Sequence, residues 1–466
     1  MDRLTAQDRM GLWPDELGWP LDIGAVAVFD GGRLLDADDR LRIDAVVEAI
    51  ARRLPGVPRF RQILHTPRRG LGGPLWVDAP AFRVEEHVHA VPVLAPAGEA
   101  QLLDTVEALR ARPFDRSRPL WQMWFLTGLP DHRVGLYVRL HHAVADGVAG
   151  MATLGALLDA EPDPPLPPAV EWTPAPPATA RELLRDNLRR RGRSVQRALG
   201  VAAHPVATTR RVRRAWPAAT VGIIGERAPR TSLNRPIGAH RRFAVIRTRL
   251  DTTKQIGHGH GGKVNDVLLA AVAGGLRELL LSRREPVDGL VLRAFVPVSL
   301  HTEGAGRAQG NQDAVMVVPL PVGEPDPVRR LELIATDTRG RKQRTRSPGL
   351  NALPSGFLQR AAWRMVTRQR TYNVSLTNVP GPPQRLFLAG APLLELIPVV
   401  PIAGNFTLGV GVGALSYTGH LFLIAVADRD TCPDVEVFAD GVRAALQDLA
   451  AFVAPSAVPT ARSRSD

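Results

Sequence analysis

In the stretch YVRLHHAVADGVAGM (residues 137–151), His141 and His142 are adjacent, and Asp146-Gly147 begins four residues after His142. A neutral imidazole, with a pKa near ~6.5, can take a proton from an alcohol or an amine as a general base. Just upstream, Val134, Leu136, Val138 and Leu140 alternate with Gly135, Tyr137 and Arg139, the period of a half-buried strand. Continued one step, the alternation sends His142 to the apolar face and His141 to the face of Arg139, which makes His142 the candidate proton acceptor. A core histidine bonded to backbone is the ordinary alternative. The position of the pair at a strand end, before a small-residue turn, weighs against it. No G-x-S-x-G elbow signals a covalent nucleophile. Neither H-E-x-x-H nor a second cluster with ligand spacing is present, so no metal is expected. Asp146 reads as the N-cap of a helix over 147–158 or as the partner of a buried arginine, not as a catalytic acid. Gly147 allows close backbone packing beside it.

The elements that must position these residues are legible by period. Ile43, Val46, Val47, Ile50 and Leu54 mark a helix stopped by Pro55, and Leu102, Leu103, Val106 and Leu109 mark another stopped by Pro113. Residues 23–29 read as a strand. After a proline-rich stretch at 161–180, regular structure resumes near Arg241 with FAVIRTRL, a helix from Asn265, and the strands VLRAFVPV, AVMVVPL and YNVSLTNV. Asp326 and Asp434 are placed to cap two more helices, and Thr418-Gly419 to turn a hairpin. The expected organisation is an α+β half over 1–160, a Pro- and Arg-rich linker over 161–240, a second α+β half over 241–455 and a disordered tail over 456–466.

The length, 466 residues, suits two cores better than one. With 45% hydrophobic and 23% charged residues the composition is that of a soluble globular protein, and no stretch reads as a transmembrane helix. The single cysteine, Cys432, excludes an internal disulfide framework and suits a reducing compartment, and no secretory signal is expected. The formal charge of +13 comes mostly from arginine and points to an anionic partner. Arg181, Arg185, Arg189, Arg190, Arg193 and Arg197 crowd one segment. If that segment is helical, Leu184, Leu188, Val195 and Leu199 share a narrow face interrupted by Arg191. The functional reading is attachment to an anionic membrane or lipid inclusion on the cytoplasmic side, and the plain reading is a solvated linker. No basic strand interleaved with aromatics supports nucleic-acid binding.

The pattern His141-His142-x-x-x-Asp146-Gly147 resembles the superfamily of chloramphenicol acetyltransferase, plant acyltransferases and peptide-synthetase condensation domains. Further stretches, in order, resemble the bacterial wax ester synthase/diacylglycerol acyltransferase family. These are DRLTAQDRMGLWPDE, VPRFRQIL, Pro119-Leu120-Trp121, Asn265-Asp266, VPVSL (296–300), Gly310-Asn311 and SLTNVPGP (375–382), the last carrying Thr377 and Asn378. Departures are His301 where arginine is frequent, Gly11 where an aromatic is common, and Asp22-Ile23. The resemblance implies two similar chloramphenicol-acetyltransferase-like α+β domains with an active-site tunnel between them and His142 midway. It also implies acyl-CoA as cosubstrate with no permanently bound cofactor, and diacylglycerol or a long-chain alcohol as acceptor. Asn265 and Thr377 are the oxyanion candidates, although Asn265 could instead be a helix N-cap. His141, Asp146, Gly147, Pro119, Leu120, Trp121, Asp266 and Asn378 are expected to support the site structurally. Alternatives are a related enzyme using carrier-protein-bound acyl groups on a polyketide or peptide acceptor, and a catalytically silent lipid-surface protein.

Overall fold

The computed structural model describes residues 2–4, 6–15, 21–145, 147–165, 167–168, 170–203, 227–299, 313–344, 370–402 and 408–452. Asp146, Leu300, His301, Gly310, Asn311, the tail over 456–466 and the side chain of Arg197 lie outside the described residues.

The first part of the chain runs β1 (Asp2–Arg3), α1 (Ala6–Leu12), β2 (Asp22–Asp30), α2 (Ile43–Arg53), β3 (Gln62–His65), β4 (Leu75–Asp78), β5 (Val88–Pro92), α3 (Glu99–Arg110), β6 (Trp121–Leu129), β7 (Arg133–His141), α4 (Gly147–Leu157) and α5 (Ala180–Ala203). The second runs β8 (Arg241–Arg249), α6 (Leu250–Gly259), α7 (Val264–Ser282), β9 (Val291–Ser299), β10 (Asp313–Pro321), α8 (Pro327–Arg344), β11 (Val374–Val379), β12 (Phe387–Leu388), β13 (Ala391–Val399), β14 (Val410–Tyr417), β15 (His420–Asp428) and α9 (Val435–Ala451). The periodic residues do bury: Val46 and Ile50 on α2, and Leu102, Leu103, Val106 and Leu109 on α3. Asp326 caps α8, its Oδ1 accepting the Val328 N–H at 2.9 Å ahead of a first-turn proline. Asp434 precedes α9 but makes no cap bond. Its carboxylate pairs with Arg283, whose Nε lies 2.9 Å from Oδ2, and that charged donor outcompetes the helix end.

One six-stranded sheet has the order β12-β13-β2-β7-β6-β5 and the other β10-β9-β11-β14-β15-β8, with a small β1-β4-β3 sheet beside them. The boundary expected at residue 240 therefore does not divide the sheets. β12 and β13 follow that boundary yet complete the first sheet, β13 lying antiparallel to β2 with Leu396 opposite Ala27 and Ile397 opposite Val26. The physical reason is that β2 is apolar on both faces, and without β13 its backbone edge has no partner. The side chains of β13 pack against β14 and β15 of the other sheet. The Tyr417 hydroxyl at the end of β14 donates to the Leu393 carbonyl at 3.0 Å and accepts the Leu386 N–H at 3.0 Å. One apolar cluster thus runs through both sheets, joining Phe29 and Ile397 to Leu415, Phe422 and Ile424. A second, including Leu268, Leu331 and Phe438, lies between the second sheet and α7, α8 and α9.

The proline-rich stretch is a docked strap rather than a free spacer. Trp172 meets Phe82 edge-on at 6.2 Å beneath the Arg61 guanidinium at 4.8 Å, and the Ala175 N–H donates to Asp78 at 3.0 Å. α5 is a true helix because Thr179 and Glu182 form a capping box: the Thr179 N–H donates to the Glu182 carboxylate at 2.8 Å, and the Glu182 N–H to the Thr179 hydroxyl at 3.4 Å. Arg3 holds its inner face through Asp186 at 2.7 Å, and Asn187 donates to the Gly70 carbonyl at 2.6 Å.

Because β13 completes the first sheet, a 1–240 fragment is expected to aggregate on expression, while the full chain melts in one transition by circular dichroism. A monomeric 1–240 fragment with a cooperative melt would contradict this assignment of β13.

Candidate active site

β7 ends at His141, so the strand alternation stops one residue short of His142. His142 stands half-buried in a turn, not on the apolar face of the strand as extrapolation had it. His141 does share the face of Arg139. Both lie against Phe114, the imidazole edge-on at 6.2 Å and the guanidinium over the ring at 4.2 Å. The His141 ring is fully buried. Its Nδ1 accepts the Ala143 N–H at 3.0 Å, which leaves the ring proton on Nε2 to donate to Asp15 at 3.0 Å. The His142 N–H donates to the Leu21 carbonyl at 2.9 Å, and the Val144 N–H to the His141 carbonyl at 2.8 Å. The turn carrying His142 is therefore closed by one bond within itself and tied to Leu21 by another. α1 passes next to it, where a Cβ on Gly11 would stand 3.8 Å from the His142 Cβ.

Charges beneath the turn are paired. Burial alone would raise the pKa of Asp15, but the His141 hydrogen bond, together with Arg116 at 2.5 Å, holds the carboxyl below its usual range. Asp22 stands opposite His141 in the β2–β7 register and pairs with Arg139, whose Nε lies 3.0 Å away. Burial pushes its pKa up against the opposing pull of that guanidinium. Arg139 also donates to the Arg112 carbonyl at 2.6 Å. Sequence reasoning missed Asp15, Arg139 and Phe114 as parts of this support, since local spacing carries no sign of partners so distant along the chain. Pro119-Leu120-Trp121 serves it as well: the Leu120 carbonyl accepts the His141 N–H at 3.0 Å. Trp121 lies between Phe60 and His87, each ring 4.5 Å away, and its Nε1 donates to the Phe60 carbonyl at 2.8 Å.

The second half contributes the first turn of α7 and the end of β11. Asn265 is not the N-cap of α7. Lys263 holds that position, and its N–H donates to the Asp266 Oδ2 at 2.8 Å, while Asp266 Oδ1 accepts the Thr338 hydroxyl at 2.8 Å. Asp266 is thus a buried structural residue, and the Asn265 side chain has no capping duty. Its Oδ1 accepts Asn378 Nδ2–H at 2.6 Å. β11 runs parallel to both neighbours but pairs with β9 only at Val374 and Ser375, while it pairs with β14 through Val379. Past Ser375 the parallel strands β9 and β11 part, at the carboxyl ends where open sheets form their ligand crevices. Alternation puts Asn378 on the side of Leu376, toward the helices, and Thr377 with Val379 on the opposite side. A Cβ on Gly147 would lie only 3.3 Å from Val379 Cγ2, so the start of α4 meets the end of β11 directly. The structure brings the start of α4, five residues after His142, against Val379 at the end of β11. It keeps Arg181, Arg185, Arg189, Arg190 and Arg193 apart, on α5. Among the described residues, no group of three or more His, Cys, Asp or Glu side chains could hold a metal ion.

Two similar α+β halves define a chloramphenicol-acetyltransferase-like fold, and the solved structures it superposes on agree. The wax ester synthase/diacylglycerol acyltransferase from Marinobacter aquaeolei VT8 matches with a TM-score of 0.70 and 24% identity, over 97% of this chain and 99% of that one. The first condensation domain of the calcium-dependent antibiotic synthetase matches with a TM-score of 0.60 and 16% identity, over 97% of each chain. Residues 4–268 match the wax ester synthase/diacylglycerol acyltransferase catalytic domain, and residues 309–450 the C-terminal domain of the same family. A Mycobacterium tuberculosis protein named "Probable diacyglycerol O-acyltransferase tgs1" is 32% identical over 442 residues, 93% of this chain and 92% of its own length. The chain belongs to the wax ester synthase/diacylglycerol acyltransferase family, and it is an acyltransferase.

A carboxyl held below its usual pKa stabilises the fold above its unfolded pKa of about 3.9 and loses that contribution as pH falls through the folded value. Asp15→Asn is therefore expected to lower the melting temperature at pH 7, with the gap to wild type closing below pH ~4. A gap independent of pH would contradict an ionised Asp15 held by its hydrogen bonds to His141 and Arg116.

Proposed function

We propose that the enzyme transfers a long-chain acyl group from acyl-CoA to diacylglycerol, giving triacylglycerol, and to long-chain alcohols, giving wax esters. The observation that carries this reading is the approach of the start of α4, five residues after His142, to Val379 at the end of β11. His142 takes the proton of the acceptor hydroxyl as its oxygen attacks the thioester carbonyl carbon. The C–S bond of the tetrahedral intermediate then breaks, and the imidazolium returns the proton to the CoA thiolate. Asn265 and Thr377 are the donors to the oxyanion, each removal costing roughly 10²–10³ in rate. A carrier-protein-bound acyl donor with a polyketide or peptide acceptor is the second reading, favoured only by the likeness to condensation domains. The name of the Mycobacterium tuberculosis relative supports diacylglycerol as acceptor.

His142→Ala is expected to lose about 10²–10⁴ in turnover with the fold intact. His141→Ala should cost less turnover and more thermal stability. Labelled acyl-CoA and diacylglycerol, resolved by thin-layer chromatography, read both. Equal losses of turnover from the two variants would contradict the assignment of roles.

α5 is the surface that would hold the enzyme at its water-insoluble substrates. Its inner face is pinned, and Leu184, Leu188, Val195 and Leu199 stay exposed beside Arg181, Arg185, Arg189, Arg190 and Arg193. Among the described residues no helix is long and apolar enough to cross a membrane, so the proposed attachment is peripheral, to the cytoplasmic face of an anionic membrane or to lipid inclusions. Each basic residue near such a surface contributes on the order of 1 kcal/mol, screened by salt. Replacing those five arginines and Arg197 with glutamine is expected to release the protein from acidic vesicles while sparing turnover of detergent-dispersed acceptor. Unchanged vesicle binding would reduce α5 to a connector.

A further inference from the structure

The hydrogen bond between Asn265 and Asn378 has a direction. Asn378 Nδ2–H is the donor and Asn265 Oδ1 the acceptor, at 2.6 Å. An amide is planar, so an asparagine whose oxygen is engaged presents its NH2 group on the other side. Left to itself, an asparagine rotates almost indifferently about its last torsion and offers oxygen or nitrogen with similar ease. At an oxyanion the difference decides the outcome, because a nitrogen donates there and an oxygen repels.

We infer that Asn378 is a positioning residue: it holds the Asn265 oxygen and so turns the Asn265 NH2 toward the developing oxyanion. The inference rests on the reading of Asn265 as an oxyanion donor. Three features of the surroundings support it. Asp266, the carboxylate next to Asn265, spends both oxygens on the Lys263 N–H and the Thr338 hydroxyl, so it does not compete for the Asn265 NH2. Asn378 sits in register with Ala414 of β14, past the point where β11 leaves β9, which places it on a paired strand beside the crevice. Asn265 itself lies in the first turn of a 19-residue helix, whose positive end favours negative charge nearby. Alternation sends Thr377 to the other face, so one strand supplies an orienting group on one side and a candidate donor on the other.

The test is steady-state kinetics on full-length Asn265→Ala, Asn378→Ala, Asn378→Ser, Asn378→Asp and the double alanine variant, with acyl-CoA and diacylglycerol. An ionised aspartate only accepts, so Asn378→Asp draws the Asn265 NH2 to itself and points the Asn265 oxygen at the reaction. kcat is expected to fall below that of Asn378→Ala, toward the roughly 10²–10³ loss of an oxyanion donor, with KM for acyl-CoA little changed. Asn378→Ser keeps a donor and should recover part of the alanine loss. The double variant should be no slower than Asn265→Ala alone, because Asn378 acts only through Asn265. Multiplying losses in the double variant, or Asn378→Asp and Asn378→Ser both matching Asn378→Ala, would overturn the inference while leaving Asn265 as a donor. Unimpaired kcat in Asn265→Ala would remove the oxyanion reading and this inference with it. Melting curves identify any variant that fails to fold, and if Asn378→Asp is one, the comparison of Asn378→Ser with Asn378→Ala decides.

Discussion

The active site depends on one strand that belongs to two structures at once. β13 gives its backbone hydrogen bonds to β2 of the first sheet and its side chains to β14 and β15 of the second. Burying an apolar strand requires both kinds of partner, since unpaired backbone groups in a dry interior are costly. The result is that the first sheet is incomplete without the second half of the chain. The Tyr417 hydroxyl adds a polar lock at the same seam, and Arg247 reaches from β8 to Glu395 on β13 at 2.7 Å. A seam assembled this way sets the spacing between β7, which ends at His141, and β11, which ends at Val379.

Given that spacing, the chemistry needs a base that is held in place yet not consumed by its surroundings. Under the proposed mechanism, the division of labour between the two histidines meets this need. His141 is buried and spends both ring nitrogens on structure, one on the Ala143 N–H and one on Asp15. His142 is tied through its backbone, by the Leu21 carbonyl, and stands half-buried in the turn that leads to α4, whose first residue meets β11. Buried charge beneath the turn is paired, Asp15 with Arg116 and Asp22 with Arg139, although for Asp22 burial outweighs the pairing and raises its pKa.

Local features of this fold were legible in the sequence, and long-range ones were not. The strand leading to His141 was readable because Val134 to Leu140 alternate strictly, and α2 and α3 because their apolar residues repeat with the helical period. Asp326 ahead of Pro327 was readable as a cap for the same local reason. The reading failed wherever a distant partner competed. Asp434 was taken by Arg283, and the start of α7 moved to Lys263 because Asp266 could bond both Lys263 and Thr338. The extrapolation to His142 failed because the strand period ends where the turn begins. Nothing in the local pattern of residues 391–399 says that their hydrogen-bond partner is β2. The motif residues His142, Gly147, Asn265, Thr377 and Asn378 could be picked out one by one, but the meeting of Gly147 with Val379 across the halves needed the fold.

That meeting is the central claim, and the contact between Gly147 and Val379 tests it most directly. Gly147→Val places branched atoms where even a Cβ would lie 3.3 Å from Val379 Cγ2. If the His142 turn and the end of β11 form one site, Gly147→Val should lose most acyl transfer, and adding Val379→Ala should restore a substantial part by making room. Activity unchanged by Gly147→Val, or a loss that Val379→Ala does not relieve in a protein that still folds, would contradict an active site assembled between the two halves.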